Sequence, residues 1–176
     1  MDYLETIFPI IFQNNGMLAG SFVRDCIIRE EPVDKNRDID ILVPFKNSLG
    51  LQKDLVNKFK AKIITNDYNE DDHISHYLAL IDGYEFDIFS GDKHFHCYLS
   101  PPDVDVNTLI WDCHGLMTWY DLNENKIHGY QMEIDDIVQR CLKKQAVVVR
   151  DEWIDDINHL EQRLNKLIKK NWTILN

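Results

Sequence analysis

The apolar residues of this chain fall into short runs whose spacing predicts most of its elements. Leu4, Ile7, Phe8 and Ile11 share one helical face, with Asp2 at the cap and Asn14-Asn15-Gly16 as the stop. Met17-Leu18-Ala19 reads as a strand that ends in a turn at Gly20-Ser21, and Ser21 is the expected cap of a second helix reaching to about residue 30. That helix would bury Phe22, Val23, Cys26 and Ile27. Asp38-Ile39-Asp40-Ile41-Leu42-Val43 alternates and then becomes continuously apolar, as a central strand does.

Helical spacing returns over residues 49–59, followed by a strand at 62–65 and an acidic loop at 66–72. Two strands, 76–81 and 84–89, flank Asp82-Gly83, a type I′ hairpin signal. Past the irregular stretch at Pro101-Pro102, residues 107–111 and 116–120 read as short strands around His114-Gly115. A helix at 134–144, a short strand at 146–149 and a long helix at 153–170 complete the list. The last helix carries Ile154, Ile157, Leu160, Leu164 and Leu167 on one stripe, and Arg163, Lys166, Lys169 and Lys170 toward its C-terminal end, where cations suit the helix dipole. The expected fold is α/β (α+β): a mixed, mostly antiparallel sheet with helices packed on one face and a C-terminal helix.

At 176 residues the chain is the size of one domain and long enough to bury a core without disulfide or metal staples. Lys and Arg number 19 against 30 Asp and Glu, a net charge of −11, so its surface field is negative on average. That argues against coating nucleic acid with the whole surface and leaves room only for a local basic groove. No run of about 18 apolar residues is present, so no simple membrane span is expected. The opening Met1-Asp2-Tyr3-Leu4-Glu5 lacks a basic leader, and Cys26, Cys97, Cys113 and Cys141 are expected as reduced thiols, which together predict a cytoplasmic (or nuclear) protein.

Three features carry chemistry together: Gly20-Ser21 at a strand-to-helix turn, Asp38-Ile39-Asp40 opening a strand, and Asp87 within Tyr84-Glu85-Phe86-Asp87-Ile88-Phe89. Residues two apart on a strand point to one face with Cα atoms roughly 6.6 Å apart. Asp38 and Asp40 can therefore reach one spot, and Asp87 faces away from Phe86 and Ile88. Carboxylates gathered in this way repel unless a cation neutralises them, and hard cations such as Mg²⁺ take carboxylate oxygens together with substrate phosphates. A metal pair can promote in-line displacement at phosphorus. Gly20 lets backbone approach an anion, Ser21 adds a hydroxyl, and Arg24, one turn on, offers a phosphate-matching fork.

At these residues the sequence resembles the nucleotidyltransferase superfamily that includes DNA polymerase beta, and especially the head domain of bacterial-type CCA-adding enzymes and poly(A) polymerases. That head has a Gly-Gly-x-Val-Arg-Asp turn followed by an Asp-x-Asp strand. The matching stretches are Gly20-Ser21-Phe22-Val23-Arg24-Asp25 and Arg37-Asp38-Ile39-Asp40-Ile41, with Ser21 in place of the second glycine. Residues 105–112 are similar to the family's Asp-Phe-Thr-x-Asn-Ala-Leu segment, in shortened form. Two parts of the pattern differ. Pro101-Pro102-Asp103-Val104 stands where Arg-Arg is usual, and no Glu-Asp-x-x-Arg base-selecting helix follows.

The resemblance implies an NTP-dependent, metal-dependent enzyme, with residues 1–150 as the catalytic domain and 151–176 as a helix packed on it. It implies that Asp38 and Asp40 hold two Mg²⁺ on the triphosphate, and that Asp87 binds the metal nearer the acceptor and helps deprotonate its hydroxyl. Gly20, Ser21 and Arg24 would bind the nucleotide. Asn107 is a candidate sugar contact and equally a strand-start residue. The acceptor suggested by the resemblance is an RNA or tRNA 3′ end. Net acidity points instead to a small molecule or a protein side chain, and a nucleotide-binding module without turnover is the alternative outside enzymes.

Other arrangements weigh less. His94, His96, Cys97, Cys113 and His114 offer soft ligands, but their spacing fits structural zinc poorly. Trp111, Trp119, Tyr120 and Tyr130 can serve as base stackers or as core. Arg140, Lys143, Lys144 and Arg150 join the tail cations as the one cationic concentration, either a solvated helix face or a groove for RNA. The base chosen and any homodimer or partner protein stay open.

Overall fold

Ile39, Ile41 and Val43 are fully buried while Asp38 is exposed and Asp40 half-buried, so the alternation at the start of this segment resolves into a strand with one core face. The computed structural model describes residues 3–91, 102–119, 133–149 and 157–175. Asp2, His94, His96, Cys97, Tyr120, Tyr130, Arg150 and Ile154 lie outside them.

The described elements are α1 (Leu4–Gln13), β1 (Met17–Ala19), α2 (Gly20–Phe22) running on into a π-helical segment (Val23–Ile28), β2 (Asp38–Pro44) and α3 (Phe45–Phe59). Next come β3 (Lys62–Asn69), β4 (Ile74–Ile81), β5 (Tyr84–Gly91) and a 3₁₀ turn (Asp105–Asn107). The chain continues with β6 (Leu109–Asp112), β7 (Gly115–Thr118), α4 (Ile134–Lys143), β8 (Gln145–Ala146), α5 (Ile157–Lys169) and β9 (Thr173–Ile174). No helix among the described residues is long and apolar enough to cross a membrane.

β1 to β7 form one sheet in the order β3-β4-β5-β2-β1-β6-β7. The β2–β5 pair is parallel and the other neighbours are antiparallel, the mixed, mostly antiparallel sheet expected. Asp82 (φ 49°) and Gly83 (φ 82°) both adopt the positive φ that a type I′ hairpin requires. The main core joins Leu4, Ile7 and Ile11 of α1, Leu51 and Leu55 of α3, and the inward residues of β2, β4 and β5. Met17, Leu42, Ile110 and Trp119 form a second apolar cluster, with Phe89 packed at its margin. By strand alternation this cluster shares a face with Asp40.

Several elements differ from their sequence pattern. Helix α2 begins at Gly20 after an extended Ala19, so Ser21 lies inside the helix and does not cap it. Helix α3 starts directly after Pro44 rather than at 49, since Pro44 is extended and proline fits the boundary. Residues 66–69, expected as loop, extend β3; this edge strand is exposed along that length, so it needs no apolar alternation. Asn107 belongs to the 3₁₀ turn, and the strand expected at 146–149 is the short β8 plus a bridge from Val148 to Val104.

The C-terminal segment ties back onto the body. β9 pairs with β8, Leu167 and Trp172 are buried, and the Trp172 ring lies under the guanidinium groups of Arg24 (5.0 Å) and Arg29 (5.7 Å).

Candidate active site

The parallel register sets Asp40 beside Asp87 and Asp38 beside Glu85. Cross-strand partners share a face, so the three carboxylates project together: ligand oxygens of Asp38, Asp40 and Asp87 all lie within 4.8 Å of one another. The sequence expectation that they gather is met by this geometry. Asp40 bears the electrostatic strain. Burial first, then the charges of Asp38 and Asp87, push its pKa up to about 7, with Arg163 pulling the other way. Clustered, partly desolvated carboxylates of this kind are hard oxygen donors, and they fit a divalent cation such as Mg²⁺.

Gly20 closes one side. Its φ is +65°, and an added Cβ would come within 2.1 Å of Asp40 Oδ2. Backbone and carboxylate approach so closely that only glycine fits. Ser21 follows, half-buried, at the start of the helical segment.

Arg24 is placed differently from the expectation of a phosphate contact. It is buried, with Nε and Nη2 donating to the two carboxylate oxygens of Asp25 at 2.7 and 2.9 Å, and Nη1 donating to Asn107 Oδ1 at 2.6 Å. All three nitrogens are engaged, so the fork holds Asn107 rather than pointing at a ligand. Asp25 also faces Arg37 at 3.0 Å and Lys170 at 3.5 Å. Burial alone would raise its pKa; the hydrogen bond and charge of Arg24, then Arg37 and Lys170, outweigh that and hold it below the usual carboxylate value.

Two site neighbours escaped the sequence reading. His76 Nε2 lies 2.6 Å from Asp87 Oδ1, and its ring stacks on Phe89 at 4.1 Å. The hairpin signal at Asp82-Gly83 could have found it, because that turn sets His76 opposite Phe89 and diagonal to Asp87. Arg163 on α5 pairs with buried Asp103, sixty residues away in sequence, and no local pattern announces such a contact.

Among the described residues, several other candidates have partners within the fold. Trp119 is buried in the second apolar cluster, and Trp111 meets Phe12 edge-on at 5.6 Å. Arg140 pairs with buried Asp105, Lys144 approaches Glu31 at 4.0 Å, and Lys170 serves Asp25, so much of the basic concentration is internally neutralised. Asp112, Cys113 and His114 bring ligand atoms within 4.8 Å in the β6–β7 turn. There Asp112 Oδ1 accepts the backbone N–H groups of His114 and Gly115, at 2.7 and 3.1 Å.

No known family profile matches the sequence, and no curated protein does. Solved structures do match. A CCA-adding enzyme in complex with ATP superposes with a TM-score of 0.64 at 14% identity, over 99% of this chain and 40% of that one. The Thermotoga maritima CCA-adding enzyme complexed with tRNA gives 0.62 at 13% identity, over 99% and 39%. An apo tRNA-processing enzyme gives 0.62 at 14%, over 99% and 43%. The chain has the nucleotidyltransferase fold. It spans about two-fifths of the length of these neighbours. In this fold Asp38 opens β2, Asp40 is flanked by Ala19 of β1 and Asp87 of β5, and Gly20 directly follows β1, so the cluster spans three neighbouring strands of one sheet.

Proposed function

We propose that this chain is a Mg²⁺-dependent nucleotidyltransferase that moves a nucleoside monophosphate from an NTP to an acceptor hydroxyl and releases pyrophosphate. The observation that carries this reading is the meeting of three carboxylates beside a glycine turn, on a sheet of this fold. Asp38, Asp40 and Asp87 would hold the divalent ions, two by resemblance. When bound, these ions would neutralise charge on the phosphates and favour in-line displacement at the α-phosphorus. Asp87 would accept the proton of the acceptor hydroxyl as that oxygen bonds to phosphorus and the bond to the β-phosphate oxygen breaks. Gly20 and Ser21 would lie against the triphosphate. Asn107, with its carbonyl oxygen taken by Arg24, would offer its NH₂ group to the sugar. Arg24 acts through Asn107.

The acceptor favoured by the neighbours is an RNA 3′ end, in a compartment that holds free NTP, such as the cytoplasm. The alternative, a small molecule or a protein side chain, draws support from the net charge of −11 and from the pairing of Arg140, Arg163 and Lys170 with acids. A binding module without turnover accounts less well for three convergent carboxylates.

The test is Mg²⁺-dependent pyrophosphate release with each of the four NTPs, alongside Asp38→Ala and Asp40→Ala. Release that is unaffected by either substitution removes the mechanism, and no release with any NTP or acceptor favours the binding module. Labelled nucleotide followed into RNA, protein and small-molecule fractions identifies the acceptor class.

A further inference from the structure

The β4–β5 hairpin sets His76 opposite Phe89 and Leu78 opposite Asp87. The imidazole therefore stands on the face that carries Asp87, one diagonal step away. Two contacts immobilise it. Its ring is stacked on that of Phe89, 4° from parallel with centroids 4.1 Å apart, and Nε2 meets Asp87 Oδ1 at 2.6 Å. A carboxylate that ligates a cation is ionised and can only accept, so in a loaded site Nε2 would carry the hydrogen of this bond.

Asp87 has Oδ1 engaged on the β4 side, and toward β2 a carboxylate oxygen of Asp87 lies within 4.8 Å of oxygens of Asp38 and Asp40. A carboxylate with both oxygens in open solvent can rotate about its last bond and present either edge. One oxygen tethered to a ring that is itself stacked removes that freedom and fixes the direction of the remaining lone pairs. Hydrogen-bond partners behind metal-binding carboxylates have this orienting effect, and their loss typically weakens metal affinity or activity by about 10–100-fold.

We propose that His76 is a positioning residue: braced on Phe89, it holds the Asp87 carboxylate in the orientation that completes a divalent-cation site with Asp38 and Asp40. The inference rests on the reading of those three residues as a cation site, and it adds a residue from a strand that contributes no carboxylate to the cluster.

The test is binding of Mn²⁺ alone to the full chain, followed by loss of the free-ion electron paramagnetic resonance signal. His76→Phe keeps a ring against Phe89 and removes the donor, whereas His76→Gln returns an N–H near the position of Nε2. Expected is a loss of Mn²⁺ affinity of about 10–100-fold in the Phe variant, with most of it recovered in the Gln variant. Wild-type affinity in the Phe variant overturns the proposal and leaves the cation site standing, as does an equal loss in both variants, which assigns His76 to packing alone. Failure of the wild-type chain to bind Mn²⁺, or binding unchanged in Asp40→Ala, overturns the cation-site reading itself. Circular dichroism checks that each variant folds; if the Phe variant does not, His76→Ala takes its place under the same criteria.

Discussion

Gly20 and Asp40 are in such close register that a single methyl group on the glycine would sit 2.1 Å from a carboxylate oxygen. The antiparallel β1–β2 pairing brings this about, since Ala19 stands opposite Asp40 and the chain turns into its helix at the next residue. Gly20→Ala therefore forces either the turn or the carboxylate to move. A left-handed alanine alone costs about 1–2 kcal/mol. We expect a measurable drop in thermal midpoint and a fall in pyrophosphate release of about 10²-fold, the scale of an ångström-sized misplacement. Wild-type activity in this variant would sink the idea that the close approach shapes the site.

Asp40 gives the metal-free protein a pH signature. Its pKa of about 7 in the folded chain exceeds the unfolded value of 3.8, so the folded state binds more protons between those limits. Stability must then fall as pH rises through that window. In EDTA, the urea midpoint should be lower at about pH 8 than at about pH 5, and Asp40→Asn should flatten the difference. Mg²⁺ added at the higher pH should restore the midpoint by mass action. A wild-type midpoint indifferent to pH in EDTA contradicts this account.

Asp25 behaves in the opposite sense. Its pKa lies below 3.8 in the folded chain, so the stability it confers is present above that pH and lost as pH falls through the folded value. Asp25→Ala would leave Arg24 buried without its carboxylate, which costs about 3–5 kcal/mol, and would free the fork that holds Asn107. Denaturant unfolding at neutral pH measures the first effect. The second should appear as a raised KM for NTP in whatever fraction remains folded.

Cysteine reactivity should divide sharply. Cys113 is exposed, whereas Cys26 and Cys141 are buried, with burial pushing the Cys141 thiol up to about 12 and that of Cys26 upward as well. Peptide mapping after brief maleimide treatment should find label on Cys113, and on Cys26 and Cys141 only after unfolding. Rapid native labelling of Cys141 would contradict the packing of α4 against the body.

The residues that were legible in sequence owe it to local rules. Asp38 and Asp40 are marked by alternation with Ile39 and Ile41, and the hairpin is marked by two residues that tolerate positive φ. The partners of Arg24 were not legible. Its neighbour Asp25 and the distant Asn107 satisfy it in the interior, and nothing in a Val-Arg-Asp string distinguishes a phosphate-facing guanidinium from a buried one. Ser21 carries the pattern of a helix cap, yet the left-handed Gly20 already makes the turn, so the helix starts one residue earlier. His76 and Arg163 belong to contacts set by sheet register and tail docking, which local periodicity does not encode.

The parallel pairing of β2 with β5 has a consequence for how the chain assembles. Asp40 and Asp87 are separated along the chain by α3, β3 and β4, and parallel neighbours can be joined only through such a crossover. The β4–β5 hairpin, closed by two residues, can zip up without bringing any of the like charges together. The repulsion of Asp87 by Asp38 and Asp40 is therefore confronted at a long-range closure, by a polypeptide whose hairpins can already support it.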